Sequence, residues 1–135
     1  MLFKRVQVTS AGQELPTKSR TGTGFLDQPV ITPVATDAPL TLTTAQMSGG
    51  IVTFTSFTAG RNVTTPTAAQ IFADAPDMDI GDAFTIQVST LTAFAATWVA
   101  GANVTLAGRA TTVASGNSTI VVTKNSATTV IWTVL

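Results

Sequence analysis

The chain has 135 residues, with seven Lys and Arg balancing seven Asp and Glu, and only 10% of it is charged, where an ordinary soluble domain carries about 25%. It contains no cysteine, histidine or tyrosine. Thiolate zinc sites, disulfides and thiol chemistry are therefore excluded, and the usual general base and metal ligand are missing. Lys and Arg are too scattered to build the basic field that phosphate needs, so no nucleic-acid partner is expected.

Residues 1–39 differ from the rest. They hold Lys4, Arg5, Lys18 and Arg20, and also Pro16, Pro29, Pro33 and Pro39. Basic residues open the chain, but no apolar stretch follows them, so Met1–Arg5 does not read as a signal peptide. Apolar runs elsewhere are short and broken by Thr or Gly, and no membrane span is expected. Val6 and Val8 alternate with polar neighbours as a short strand would. Ser19–Phe25 has no period and reads as loop, with Gly22 and Gly24 letting it bend. Residues 28–39 read as extended, because each proline biases its predecessor away from the α region. The segment 1–39 is expected to be an arm, either a tail or one that lies on a neighbouring surface. Phe3, Phe25, Leu26, Val30, Ile31 and Val34 would be buried there, with Lys4 and Arg5 as charged contacts.

A mainly β domain is expected over residues 40–135: a small antiparallel β-sandwich or barrel-like unit with one short helix near 66–75. Leu40–Thr44 and Ile51–Phe57 read as strands. Thr65 would cap the helix with Pro66 at its first position, and Pro76 would stop it. Ala68, Ala69, Ile71, Phe72 and Ala75 form its apolar stripe. Ala83–Val88, Phe94–Val99, Val104–Ala107, Ser118–Lys124 and Thr128–Leu135 alternate at period two, separated by turn residues. No fixed internal period is evident.

The candidate sites are few. Asp74, Asp77, Asp79 and Asp82 form an acidic run around Gly81. It reads as a turn, with a hard-cation site or an intersubunit ion pair as alternatives. It is not an EF-hand, since no Glu closes a twelve-residue loop, and no resident metal or other cofactor is expected. Nucleophilic catalysis needs a base beside Ser or Thr, and no Ser-x-x-Lys arrangement offers one. Gly22 and Gly24 lack the Lys-Ser/Thr of a phosphate loop. An enzyme is not expected. Phe54, Phe72, Phe84, Trp98 and Trp132 are read as core or interface anchors, the tryptophans alternatively as a carbohydrate platform. A chain with so little charge has weak colloidal protection. Its surface is either neutral and Thr-rich or largely hidden in subunit contacts.

The text Thr65-Pro-Thr-Ala-Ala-Gln-Ile-Phe, continuing through Met78-Asp-Ile-Gly-Asp-Ala-Phe-Thr-Ile86, resembles a segment common in tailed-bacteriophage virion proteins. There a Leu-Pro-Thr-Ala helix leads to a Gly-Asp-Ser/Ala-Phe strand. The likeness continues through Ala100–Gly108 and Thr112–Ser118, with Thr65 where Leu is usual and Asn117 where Ser is usual. The resemblance implies a β-rich, usually trimeric module on the exterior of a virion. It would be a capsid decoration (cement) protein or a part of a head fibre, tail tip or spike. The first implies the major capsid protein as partner, a homotrimer, and a place on the outer surface of the head; the proline-rich, Phe-bearing composition of residues 1–39, which show nothing diagnostic of the family, leads to the separate expectation that they supply most of the shell affinity. The second implies a host glycan or receptor, read by an exposed tryptophan.

Overall fold

The computed structural model describes residues 29–135 and the backbone of two short paired strands, β1 (Gln7–Val8) and β2 (Glu14–Leu15). Phe3, Lys4, Arg5, Phe25 and Leu26 lie outside the described residues. The protein is mainly β, as its alternating sequence predicts. Two sheets face each other: a six-stranded one and a three-stranded one.

The chain winds between them. β3 (Val30–Val34) lies in the larger sheet and β4 (Leu40–Thr41) in the smaller, followed by helix α1 (Thr44–Met47). The next coil repeats the order with β5 (Gly50–Phe54), β6 (Arg61–Thr64) and helix α2 (Ala68–Asp74). A third coil places β7 (Ala83–Thr90) in the larger sheet and β8 (Ala96–Val99) in the smaller. Crossing to the other sheet and back restores the chain direction. Hence β3, β5 and β7 run parallel, and so do β4, β6 and β8. β9 (Val104–Gly108), β10 (Gly116–Lys124) and β11 (Val130–Val134) complete the larger sheet in the order β3-β5-β7-β10-β11-β9.

The expected antiparallel sandwich is thus met only in part. β10 runs antiparallel to β7 and β11, while β9 joins β11 in parallel. Alternation reveals which face of a strand is buried, but not whether the following connector makes a hairpin or crosses to another layer. The coils also bring out a repeat that the sequence reading did not find. Thr43-Thr-Ala-Gln-Met47 and Thr67-Ala-Ala-Gln-Ile71 occupy the same place in successive coils. Each opens its helix with a reciprocal capping box between Thr and Gln, which satisfies two amides that have no partner within the helix.

Two boundaries move. The cap of α2 is Thr67, not Thr65. Thr65 is buried at 1% exposure and still belongs to the β6 ladder, its N–H donating to Val99 O at 2.9 Å and its hydroxyl accepting from Gly101 N at 2.9 Å. Gly101 must be glycine there, since a Cβ would stand 2.6 Å from Thr65 O. The arm boundary at residue 39 also fails. Residues 30–34 are β3, paired with β5 along their whole length. Val30 and Val34 turn their polar backbone groups toward β5, bonding with Gly49 O and Thr55 N, so Pro33, of opposite parity, sends its missing N–H outward. An edge-strand position of that kind takes a proline at no cost in ladder bonds.

The core lies between the sheets. Val52, Phe54, Ile86, Val88, Ile120, Val122, Trp132 and Val134 reach inward from the larger sheet, Val63 and Trp98 from the smaller, and Met47 and Ile71 from the helices. The segment after β9 crosses to close the smaller sheet beside β8, through the Thr97–Thr111 bridge and the Trp98 N–H to Ala110 O bond at 3.0 Å. Buried Thr112 satisfies its hydroxyl within this closure, meeting Thr90 Oγ1 at 3.2 Å and accepting from Ala96 N at 3.0 Å.

Candidate interaction surface

The residues singled out in the sequence fall into three places. Trp98 and Trp132 meet in the core from opposite sheets, ring centroids 5.2 Å apart and tilted by 55°. They are 4% and 0% exposed, and neither indole N–H has a hydrogen-bond partner among the described residues. Phe54 is fully buried and stacks on Phe57 at 4.9 Å. Phe72 and Phe84 pack half-buried against the core. No aromatic platform is formed by the tryptophans.

The acidic run is a structured turn. The Asp82 carboxylate accepts from Asp79 N at 2.9 Å, and Asp82 N donates back to Asp79 O at 2.9 Å. Gly81 sits at φ 96° and docks on β10 through Lys124 O. Lys124 holds the turn from above: its ammonium donates to Met78 O at 2.9 Å and lies 4.7 Å from the Phe72 ring centroid. Asp74 and Asp77 are exposed. Among the described residues no group of three or more acidic, His or Cys side chains is arranged to hold a metal ion.

The most extensive feature is the outer face of the larger sheet. Strand register builds it in rows: Ile31, Ile51, Gln87 and Thr119 form one, and Thr85, Val121, Thr133 and Ala107 another. Gln87 and Thr119 hydrogen-bond side chain to side chain at 2.9 Å, and Ser89 bonds Asn117 across the same two strands. No outward position of β3, β5, β7, β9, β10 or β11 carries Asp, Glu, Lys or Arg. At one end Ile31 and Leu91 stand 62% and 65% exposed, and Ile51, Thr53 and Asn117 line a shallow groove with them. The predicted contact residues Val30 and Ile31 are therefore exposed on an edge strand of this sheet rather than on a free arm.

A second concavity, of about 330 Å³, opens between the two helices and the first half of β7. Met47, Ile71, Ala75, Phe84 and Ile86 give it an apolar lining, Gly50 lies at one side, and Asp74 is its carboxylate. The sequence reading missed it. The signal was the repeated Thr-x-Ala-Gln-(Met/Ile) pentad, whose last residue in each copy, Met47 or Ile71, lines this cavity.

Comparisons with protein-family models, with curated proteins and with solved structures found no match.

Proposed function

We propose that this chain is a non-catalytic capsid decoration (cement) protein, which binds the outer surface of a phage head and stabilises it by bridging subunits of the major capsid protein, acting as a homotrimer. The observation that carries the reading is the uncharged outer face of the larger sheet. Stable interface cores are depleted of charged groups, because burying an ion costs far more than burying Thr, Val or Ile. A face tiled with uncharged side chains around half-buried Ile51, Val121 and Ile131 can be covered without stranding a charge. The resemblance of Thr65–Ile86 to phage virion modules points the same way. The rival, a fibre or tail-tip module reading a host glycan, calls for an exposed tryptophan, and burial of Trp98 and Trp132 speaks against that platform.

The test is to measure the mass of the purified chain and mix it with undecorated capsids. A trimer retained on the shell is expected. Val121→Lys, in the middle of the outer face, should leave the fold intact and weaken retention about tenfold or more, equivalent to about 1.4 kcal/mol. A monomer without affinity for the particle, or retention indifferent to Val121→Lys, would overturn the reading. Cutting the chain at residue 40 is not a clean test of an arm, because it removes β3 and Asp37 from the domain.

A further inference from the structure

We propose that the cavity between α1, α2 and β7 is a peptide-docking site. An extended segment of a partner protein pairs with β7 at Ala83 and Thr85 and sends a bulky apolar side chain into the cavity, with a Lys or Arg two residues along the segment set against Asp74.

The strand edge follows from register. β10 pairs with β7 from Ala83 to Thr90, whereas β5 pairs with it only from Gln87 to Thr90. The bond from Lys124 N to Asp82 O, at 2.9 Å, fixes the parity. Residues of an antiparallel pair alternate between bonded and non-bonded positions. Asp82, Phe84 and Ile86 therefore turn their backbone groups toward β10, and Ala83 and Thr85 turn theirs the other way. At the far end of β7, Leu91 N donates to Phe54 O at 3.0 Å, which places the same odd-numbered set on the β5 side. β5 stops short of Ala83 and Thr85, and neither N–H has a partner among the described residues. Both residues are exposed, and both line the cavity. An extended peptide can add its backbone to such an edge while alternate side chains enter the pocket beside it.

Size and spacing suit that occupant. A volume of about 330 Å³ holds one or two large side chains, and Met47, Ile71, Ala75, Phe84 and Ile86 make its walls apolar. Ile71 and Asp74 are three residues apart on α2, hence neighbours about 5–6 Å apart on one helix face. On an extended segment residues i and i+2 share a face and stand about 6.4–6.8 Å apart. An apolar side chain over Ile71 thus brings the side chain two residues away beside Asp74. A small apolar molecule could fill the same walls but would leave the N–H groups of Ala83 and Thr85 without an acceptor.

Charge selects a basic segment. Asp74 is the one charged residue among the described residues that line the cavity. It closes α2, where the helix end adds negative partial charge. Exposed Asp77, Asp79 and Asp82 follow on the way to β7. The ammonium of Lys124, which holds that turn, is already taken by Met78 O at 2.9 Å. A negative rim attracts a basic peptide and fixes its register along the edge. The site needs neither the trimer nor the shell, so it stands apart from the capsid reading.

The experiment titrates the full chain into a fluorescein-labelled peptide, Thr-Val-Thr-Leu-Thr-Lys-Thr-Val, and follows fluorescence anisotropy. Amide hydrogen exchange is read with and without the unlabelled peptide. Saturable binding is expected, with slowed exchange at Ala83 and Thr85. Exchanging the peptide's Lys for Glu should weaken binding several-fold, and Asp74→Lys, an exposed position, should reverse that preference. A peptide with Leu and Lys adjacent, which an extended backbone sends to opposite faces, should also bind several-fold more weakly. Ala75→Trp, which fills the cavity, should weaken the parent peptide about tenfold. Absence of binding, equal affinity for the three peptides, a charge preference unchanged by Asp74→Lys, or protection confined to residues outside 83–86 would each overturn the proposal.

Discussion

The two faces of the larger sheet are made by the same strands and obey opposite rules. On the inner face Val52, Val88, Ile120, Val122 and Trp132 are all completely buried. On the outer face their immediate neighbours are Ile51, Thr53, Gln87, Thr119, Val121, Ile131 and Thr133. An ordinary solvated face would alternate apolar residues with Lys and Glu, which keep sheets apart by repulsion and hydration. Here the polar half of the alternation is Thr, Gln, Ser and Asn. Threonine favours a strand through its branched Cβ and exposes a hydroxyl that neither repels a second surface nor resists desolvation as a charge does. The contrast is between a face fixed by packing within the fold and one whose composition is compatible with being covered from outside.

The sharpest way to break that contrast is to mutate across it one residue apart. Trp132→Ala empties the centre of the core and removes the contact with Trp98, at an expected cost of about 3–5 kcal/mol. Thr133→Val, on the outer face, should change stability by no more than about 0.5 kcal/mol. Urea unfolding of both variants measures the difference. A Trp132→Ala cost close to that of Thr133→Val would mean that the two faces are not energetically distinct.

How far this was legible from sequence depends on which physics each element rests on. The strands over Ala83–Thr90, Gly116–Lys124 and Val130–Val134 were readable because period-two burial is local. Their neighbours were not. Parallel pairing in the coils depends on connectors that cross between layers, and nothing in Thr55–Gly60 or Leu91–Ala95 distinguishes a crossing from a hairpin. β3 was hidden because Pro29, Pro33 and Pro39 argue for an arm, and only the backbone parity shows Pro33 to sit harmlessly at an edge. The cap of α2 was displaced by one competitor: Thr65 and Thr67 are chemically identical, but Thr65 is already committed to Val99 and Gly101. The acidic run was readable as a turn because Asp and Gly have local turn chemistry. The uncharged face and the cavity were not, since each is assembled from strands or helices distant in sequence.

The helices close the inner core at the end where the cavity opens, and their caps give the next smaller test. Thr67 accepts from Gln70 N at 3.2 Å, and the Gln70 side chain accepts from Thr67 N at 2.9 Å. A helix as short as Ala68–Asp74 does not persist on propensity; it holds because Ile71 is buried and its first amides are satisfied. Thr67→Ala should cost about 1 kcal/mol, and Thr67→Ser should recover most of it. If Ala and Ser behave alike, packing of Ile71 alone sustains α2, and the repeated pentad contributes no capping energy.

The smallest expected effect lies where the first coil is tied to the second. Asp37, between β3 and β4, accepts from Arg61 Nε at 2.9 Å, from Thr58 Oγ1 at 2.5 Å and from Thr58 N at 3.0 Å. The Arg61 hydrogen bond, and then the two from Thr58, hold the Asp37 carboxyl well below the usual carboxylate range. An Asp in the unfolded chain titrates near about 3.9, so below that pH the unfolded state binds the proton that the folded state refuses. Stability from this group is fully present above the unfolded value and declines as pH falls toward the folded one. Both partners are partly solvated, at 25% and 30% exposure, which screens the pair and keeps the effect modest. Asp37→Asn should lower the thermal midpoint at pH 7, and its deficit relative to the parent should shrink as pH is lowered from about 5 toward 2, a window set by the ordinary carboxylate pKa. Parallel curves for the two proteins would show that the tie acts through hydrogen-bond geometry alone and that the charge of Asp37 contributes nothing to joining the coils.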